Sequence, residues 1–155
     1  MPDVTLTVNG ERERLAVEAT ETLLDALRTR LGLGGTKLGC NQGVCGSCTV
    51  LIDGKPGRAC LTLAASCGGR KIVTIEGVAA GGKPSAVQQA FVETGAVQCG
   101  YCTPGMILTA EALLTRQRRP SIDEIREALS GNLCRCSGYA KIVDAVKLAG
   151  ERMPA

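Results

Sequence analysis

The residues with the clearest chemical potential in this 155-residue chain are its nine cysteines, which occur without any histidine. Two residues separate Cys99 from Cys102, and one residue separates Cys134 from Cys136. Thiolates at such short spacings can bind one metal centre, and two such pairs supply the four sulfur ligands of a 2Fe–2S cluster. We therefore expect these four cysteines to form one metal site.

A second group of cysteines lies in the first half of the chain. The intervals from Cys40 to Cys45, then to Cys48, then to Cys60 are four, two and eleven residues. The first three match the C-x4-C-x2-C run of plant-type 2Fe–2S proteins. A loop around a cluster must turn sharply and direct backbone N–H groups at the sulfurs, which glycine permits. Glycines alternate with these cysteines, at Gly39, Gly43 and Gly46.

Disulfide bonds and zinc are the alternative uses for so many cysteines. The first ten residues lack the basic start and apolar run of a secretory signal, so we expect a cytoplasmic location, where cysteines more often bind metal than pair. Zinc sites often include histidine, and Rieske centres require it. Spacing and the lack of histidine therefore favour iron–sulfur over zinc. The ninth cysteine, Cys67, has no partner left and is expected to be structural or incidental.

The formal net charge of +3 gives little support for nucleic-acid binding. The sequence has no long run of Lys or Arg, and two oxidised clusters of about −2 each, counted with their thiolates, would change the charge to about −1. No stretch has the length and apolarity of a membrane span. We therefore expect neither a nucleic-acid partner nor a membrane span.

The elements that must position the first four cysteines are short strands. Alternating apolar residues predict strands over residues 4–8 and 12–17, joined by a tight turn at Asn9 and Gly10. A helix is expected to open near Thr20 and to end at Gly32. Further strands are predicted at residues 49–52, 59–63 and 71–75. This order of elements is typical of the β-grasp arrangement of plant-type ferredoxins.

The second half of the chain has a helical period. Residues 78–84 are interpreted as a linker between a first domain, residues 1–77, and a second, residues 85–155. Four short amphipathic helices predict a compact bundle in the second domain. The predicted fold class is therefore α+β, with a β-grasp, ferredoxin-like domain followed by a four-helix bundle.

The expected starts of these helices lie close to the second group of cysteines. Ser85 is expected to cap the first helix, and Pro104 to open the second with Thr103 as its N-cap. Ser121 begins a capping box for the third helix, and the fourth begins near Tyr139. If the second and fourth helices begin at the same end of the bundle, the four thiolates converge there, beside positively polarised helix starts.

Three motifs together resemble the small iron–sulfur subunit of the molybdenum hydroxylases, the family of xanthine dehydrogenase, aldehyde oxidoreductase and carbon monoxide dehydrogenase. The motifs are GCNQGVCGSC at residues 39–48, QCGYCTPG at residues 98–105 and GNLCRC at residues 131–136. They occur in the family's order with the family's number of ligands, and the similarity extends from Val4 to about Leu148.

The resemblance implies a role in electron transfer. The chain would carry two 2Fe–2S clusters, with ligands Cys40, Cys45, Cys48 and Cys60 for one and Cys99, Cys102, Cys134 and Cys136 for the other. A large partner subunit would hold molybdenum with molybdopterin and perform the substrate chemistry, and a medium subunit would hold FAD. The assembly would be a dimer of heterotrimers, and no residue of this chain would be catalytic.

The family's pattern also implies an orientation for the two clusters. The cluster of the helical domain would face the pterin, and the cluster of the first domain would face FAD. The family's counterpart of Gln98 hydrogen-bonds the pterin, and Cys136 matches the cluster ligand nearest to it.

Two other functions stay open at this point. A free-standing two-cluster ferredoxin would carry electrons between enzymes and would be stable alone. A zinc-stabilised adaptor would be colourless and would bind protein partners instead.

Overall fold

A five-stranded mixed sheet and a group of helices make up the molecule. The computed structural model describes residues 1 and 3–154, with the backbone alone at Ala80. The strands follow the spatial order β2-β1-β5-β3-β4. Strands β1 and β5 are parallel, and the other neighbours are antiparallel. The strands are β1 (Asp3–Val8), β2 (Glu11–Ala16), β3 (Thr49–Ile52), β4 (Lys55–Arg58) and β5 (Lys71–Val73).

Two-residue turns fix the register of both hairpins. Asn9 and Gly10 have φ angles of 51° and 91°, and Asp53 and Gly54 have 50° and 81°. Positive φ at both central residues is the geometry that matches the twist of paired strands. The strand predicted at residues 59–63 is wrong. The turn at Asp53 pairs residues 55–58 with β3, and the chain then forms a short 3-10 turn at Ala59–Leu61.

The longest helical segment in the described residues of this first part covers one face of the sheet. It consists of α1 (Leu23–Asp25) and a π-helical turn (Ala26–Arg30). Thr22 caps it by accepting a hydrogen bond from the Asp25 N–H at 3.1 Å. The chain leaves the segment at Gly32, where φ is 68°, as predicted. Apolar side chains of this segment are buried against those of β1, β3 and β5.

Four further helices, α2 to α5, form the second part of the fold. Complete capping boxes begin α2 at Ser85 and α4 at Ser121. The predicted N-cap of α3 is wrong by one residue. The Met106 N–H already donates to the Cys102 carbonyl at 3.0 Å, so Cys102 is the N-cap. The bounds are α2 (Ala86–Glu93), α3 (Thr103–Arg116), α4 (Ile122–Leu129) and α5 (Ala140–Arg152).

Each part has its own hydrophobic core. One core contains side chains from the sheet and α1, and the other contains side chains from α2 to α5. Helix α3 lies next to strand β3, so the two parts are in direct contact. The predicted α+β class, with a ferredoxin-like part before a helical part, is confirmed. Within the described residues, no helix has the length and apolarity needed to span a membrane.

Candidate metal centres

The loop between α1 and β3 forms a cradle for sulfur. The Cys40 Sγ accepts hydrogen bonds from the backbone N–H groups of Gln42, Val44 and Cys45, each at 3.3 Å. Those of Cys45 and Gln42 contribute most to lowering the pKa of the Cys40 thiol to about 6. The φ of 75° at Gly43 provides part of the tight turn. This loop therefore stabilises a thiolate, the form that binds iron.

Cys48 and Cys60 lie deeper, together at the open end of the β3–β4 hairpin, opposite its turn. Cys48 immediately precedes β3, and Cys60 lies in the turn that follows β4. The two residues are 3% and 6% exposed, and their thiols contact each other. Burial raises the pKa of the Cys48 thiol to about 11. Because ligating cysteines are thiolates, a metal ion held by Cys48 would have to displace this proton.

The second group of cysteines gathers at the beginnings of α3 and α5. Cys102 is the N-cap of α3 and contacts Cys134, and both thiols are partly buried. Cys99 contacts Cys136, and both residues are exposed. Burial, and then the neighbouring Cys134 thiol, raise the pKa of Cys102 to about 12. The structure thus brings all four residues into one region, with one pair inside and one pair at the surface.

Neighbouring polar groups orient this second group. The Cys134 N–H donates to the Tyr139 hydroxyl oxygen at 2.9 Å, and Cys134 Sγ lies 3.0 Å from Ser137 Oγ. Tyr139 has φ of 68° and is the residue before α5. Gln98 is exposed, and its side-chain amide donates to the Cys136 carbonyl at 3.2 Å. Gln98 and Cys136 are therefore adjacent on the outer side of the site.

The pairwise arrangement of the sulfurs fits a two-iron cluster. Each iron of an all-cysteine 2Fe–2S centre takes two thiolates, and the eight thiols contact one another in four pairs. The pairs are Cys40 with Cys45, Cys48 with Cys60, Cys99 with Cys136, and Cys102 with Cys134. A structural zinc ion instead requires four donors around one point. Among the described residues, no three His, Cys, Asp or Glu side chains converge on a single ion position.

The two sites are joined by one backbone hydrogen bond. The Leu133 N–H donates to the Cys45 carbonyl at 2.8 Å. Leu133 immediately precedes Cys134, so this bond links a candidate ligand of the first site to the residue before a candidate ligand of the second.

A buried asparagine holds that junction in place. Asn132 is 3% exposed. Its side-chain nitrogen donates to the Gly46 carbonyl at 3.1 Å and to Thr49 Oγ1 at 3.2 Å, and its oxygen accepts from Thr109 Oγ1 at 3.0 Å. A Cβ added at Gly105 would lie 2.5 Å from the Gly46 carbonyl oxygen. The loop of the first site and the segment before the second are therefore in close contact.

Sequence reasoning did not single out two residues of this junction, Asn132 and Arg58. Asn132 lies within the GNLCRC motif, which was the only signal available. Arg58 ends β4, and its guanidinium donates to Thr49 Oγ1 at 2.9 Å and to the Gly131 carbonyl. Both residues connect positions far apart in the sequence.

The ninth cysteine lies away from both groups. Cys67 is 1% exposed and packs in the core of the sheet, where its thiol lies 3.5 Å from the Leu63 carbonyl. Burial raises the pKa of this thiol. Its surroundings are those of a small core residue.

Comparisons with known proteins agree with this geometry. Residues 6–70 match the family model of a 2Fe-2S iron-sulfur cluster binding domain, and residues 74–147 match that of a 2Fe-2S binding domain. The chain is 53% identical over 149 residues to the nicotinate dehydrogenase small FeS subunit of Eubacterium barkeri, covering 96% of this chain and 95% of that protein.

A second relative is similar in sequence, and a solved structure is similar in fold. The xanthine dehydrogenase iron-sulfur-binding subunit of Escherichia coli O157:H7 is 49% identical over 142 residues, covering 90% of this chain and 89% of that protein. The crystal structure of quinoline 2-oxidoreductase from Pseudomonas putida 86 contains a chain with a TM-score of 0.94 and 50% identity. That match covers 97% of this chain and 94% of the other.

Proposed function

This chain belongs to the small iron–sulfur subunits of the molybdenum hydroxylases, and we propose that it relays single electrons between two partner subunits. One partner would hold a molybdopterin centre, where substrate is transformed, and the other would hold FAD. A bound 2Fe–2S cluster supplies one-electron redox chemistry at each site. The chain itself holds the clusters, sets their separation and tunes their surroundings.

The proposed ligands are the eight cysteines that contact one another in pairs. Cys40, Cys45, Cys48 and Cys60 would hold the first cluster, and Cys99, Cys102, Cys134 and Cys136 the second. The N–H groups around Cys40 would stabilise negative charge on sulfur, as second-shell donors do at metal sites. The buried pair, Cys48 with Cys60, would be shielded from solvent, and the partly buried pair, Cys102 with Cys134, would be shielded less.

The observation that carries the proposal is the bond between the Leu133 N–H and the Cys45 carbonyl, 2.8 Å long. This bond adds a direct backbone connection to the side-chain contacts that Asn132 and Arg58 make across the junction. With it, backbone atoms and one hydrogen bond lead from Cys45 to Cys134.

We assign the outer side of the second site to the pterin-bearing partner. Gln98, Cys99 and Cys136 are exposed, and the Gln98 amide already donates to the Cys136 carbonyl. A pterin has several hydrogen-bonding groups that an adjacent side-chain amide can pair with. In this arrangement Cys136 would be the cluster ligand nearest the pterin, and the first site would face FAD.

The assembly we propose is a dimer of heterotrimers in the cytoplasm, with this chain divided at a linker over residues 78–84. The names of the relatives support membership in a larger enzyme, because they describe subunits. A free-standing ferredoxin is less well supported, since such a carrier would leave Cys99 and Cys136 at an open surface.

Co-purification with the two partners tests this function. We expect the complex to contain about four iron atoms and four sulfides for each copy of this chain, and reduction with dithionite to give two distinct paramagnetic signals. After rapid mixing with the substrate of the large subunit, we expect both clusters to become reduced before FAD is fully reduced. A complex with one cluster per copy of this chain, or a colourless protein containing zinc, would contradict the proposal.

A further inference from the structure

Among the described residues, no carboxylate pairs with the guanidinium of Arg58, which lies at the junction of the two sites. Its guanidinium donates to Thr49 Oγ1 at 2.9 Å and to the Gly131 carbonyl. Its Nε is completely buried and lacks a hydrogen-bond acceptor. Both acceptors that Arg58 does have are uncharged.

Negative charge nearby would stabilise a partly buried guanidinium in this position. Removing a cation from water is costly unless an anion compensates it. The five ion pairs found in the described residues use Arg14, Arg30, Arg70, Arg126 and Arg152 instead. Arg58 therefore lacks a carboxylate partner within the part of the chain that the structure describes.

The ligand segments of the two proposed sites lie beside Arg58 and would supply this negative charge. Thr49 directly follows Cys48 and faces Arg58 across the β3–β4 pair, and Arg58 itself lies two residues before Cys60. Its other acceptor, Gly131, lies three residues before Cys134. The guanidinium thus stands between the ligand segments of both proposed sites, which would carry the net negative charge of iron-bound thiolates.

We propose that Arg58 is the counter-charge of the two clusters and a positioning residue for their junction. This rests on the proposed function. A fixed cation favours the more negative, reduced form of a nearby cluster, so Arg58 raises the reduction potential. The effect is larger at the site of Cys48 and Cys60, because Arg58 shares a hairpin with both. Its hydrogen bonds also tie the Gly131 segment to β3.

Redox titration of the intact complex, followed by the paramagnetic signal of each cluster, tests this assignment. In Arg58→Gln the positive charge is lost. At a fixed ambient potential, we expect the ratio of reduced to oxidised first cluster to fall at least about threefold, with a smaller fall for the second. Arg70→Gln is the control, since Arg70 pairs with Asp53 at the exposed end of the same hairpin and should leave both ratios unchanged.

The Arg58→Lys variant separates the effect of the positive charge from that of the two hydrogen bonds. A lysine keeps the charge but lacks the planar fork that reaches two acceptors at once. We expect the ratio to stay near that of the wild type while the melting temperature of the complex falls. A Lys variant whose ratio falls at least about threefold overturns the proposal, and this outcome can be measured even if the Gln variant does not assemble.

The remaining outcomes are also decisive. Unchanged ratios in an assembled Arg58→Gln complex overturn the role of Arg58 and leave the electron relay intact. Loss of one or both signals in the wild-type complex contradicts the proposed function itself, so the two failures can be told apart.

Discussion

At the scale of single residues, the environment of each cysteine separates its role from those of the others. The N–H donors around Cys40 lower the pKa of its thiol, whereas burial raises the pKa of the thiols of Cys48 and Cys102. Cys67 shares the burial but has no second thiol beside it that would complete a pair. Burial alone therefore does not identify a ligand, and a neighbouring thiol does.

Substitution of Cys136 should affect one cluster and spare the other. In Cys136→Ser a hydroxyl replaces the exposed sulfur, and oxygen is a harder donor than iron–sulfur centres prefer. We expect the paramagnetic signal of the second cluster in the reduced complex to lose intensity or shift, while that of the first is retained. Cys67→Ala is the matched control and should keep both signals. Equal loss of both signals would contradict two separate sites.

At the scale of elements, helix α3 is the link between the two halves of the fold. Its first turn begins at Cys102, and its third residue, Gly105, lies against the loop that contains Gly46. Farther along the same helix, the Thr109 hydroxyl donates to the side-chain oxygen of Asn132. A single helix therefore positions a candidate ligand and also meets the loop of the other site.

Replacing Gly105 by alanine should destabilise the protein, although this substitution usually stabilises a helix. In a helix, Gly→Ala normally stabilises by about 1 kcal/mol. At Gly105 the added Cβ would lie 2.5 Å from the Gly46 carbonyl oxygen, so we expect Gly105→Ala to destabilise the protein by about 1–3 kcal/mol. Chemical denaturation of the complex measures this.

The control for that substitution is Gly34→Ala. No atom lies within 4 Å of a Cβ added at Gly34, so its effect should stay within about 0.5 kcal/mol. Stabilisation by Gly105→Ala would mean that the loop of the first site does not rest on α3.

At the scale of the whole molecule, two hydrophobic cores are held in a fixed relation by polar contacts. The side-chain amide of Asn132 makes its hydrogen bonds across the junction, and the Leu133 N–H donates to the Cys45 carbonyl. Electron transfer between two sites depends on such a fixed separation. We therefore expect the junction to have a functional as well as a structural role.

Removal of the Asn132 side chain should loosen the junction. Asn132→Ala leaves the Gly46 carbonyl and the Thr109 hydroxyl without this buried partner, so we expect a loss of about 2–3 kcal/mol in the free energy of unfolding. The magnetic coupling between the two reduced clusters should also change, because their separation is no longer fixed. Ser121→Ala is the control: it removes the α4 cap, costs about 1 kcal/mol, and should leave the coupling unchanged. Normal stability and coupling in Asn132→Ala would contradict this role.

The sequence by itself determined the chemistry and most of the elements. Residue type and spacing identified eight cysteines as candidate ligands, and local periodicity predicted β1, β2, β3 and the helices of the second half. The errors were local too. The turn at Asp53 and Gly54 moved the pairing strand from residues 59–63 to 55–58, and α3 began one residue earlier than its Thr-Pro signal indicated.

Only the tertiary structure decided which thiols pair and how the two sites meet. Asn132 reaches Gly46 across 86 positions of sequence, and Arg58 reaches Gly131 across 73. Contacts between such distant positions leave no periodic pattern, because they arise when two separately formed cores pack together. The candidate ligands could therefore be identified from the sequence, while the junction between the two sites depends on the packing of α3 and the GNLCRC segment against the first loop.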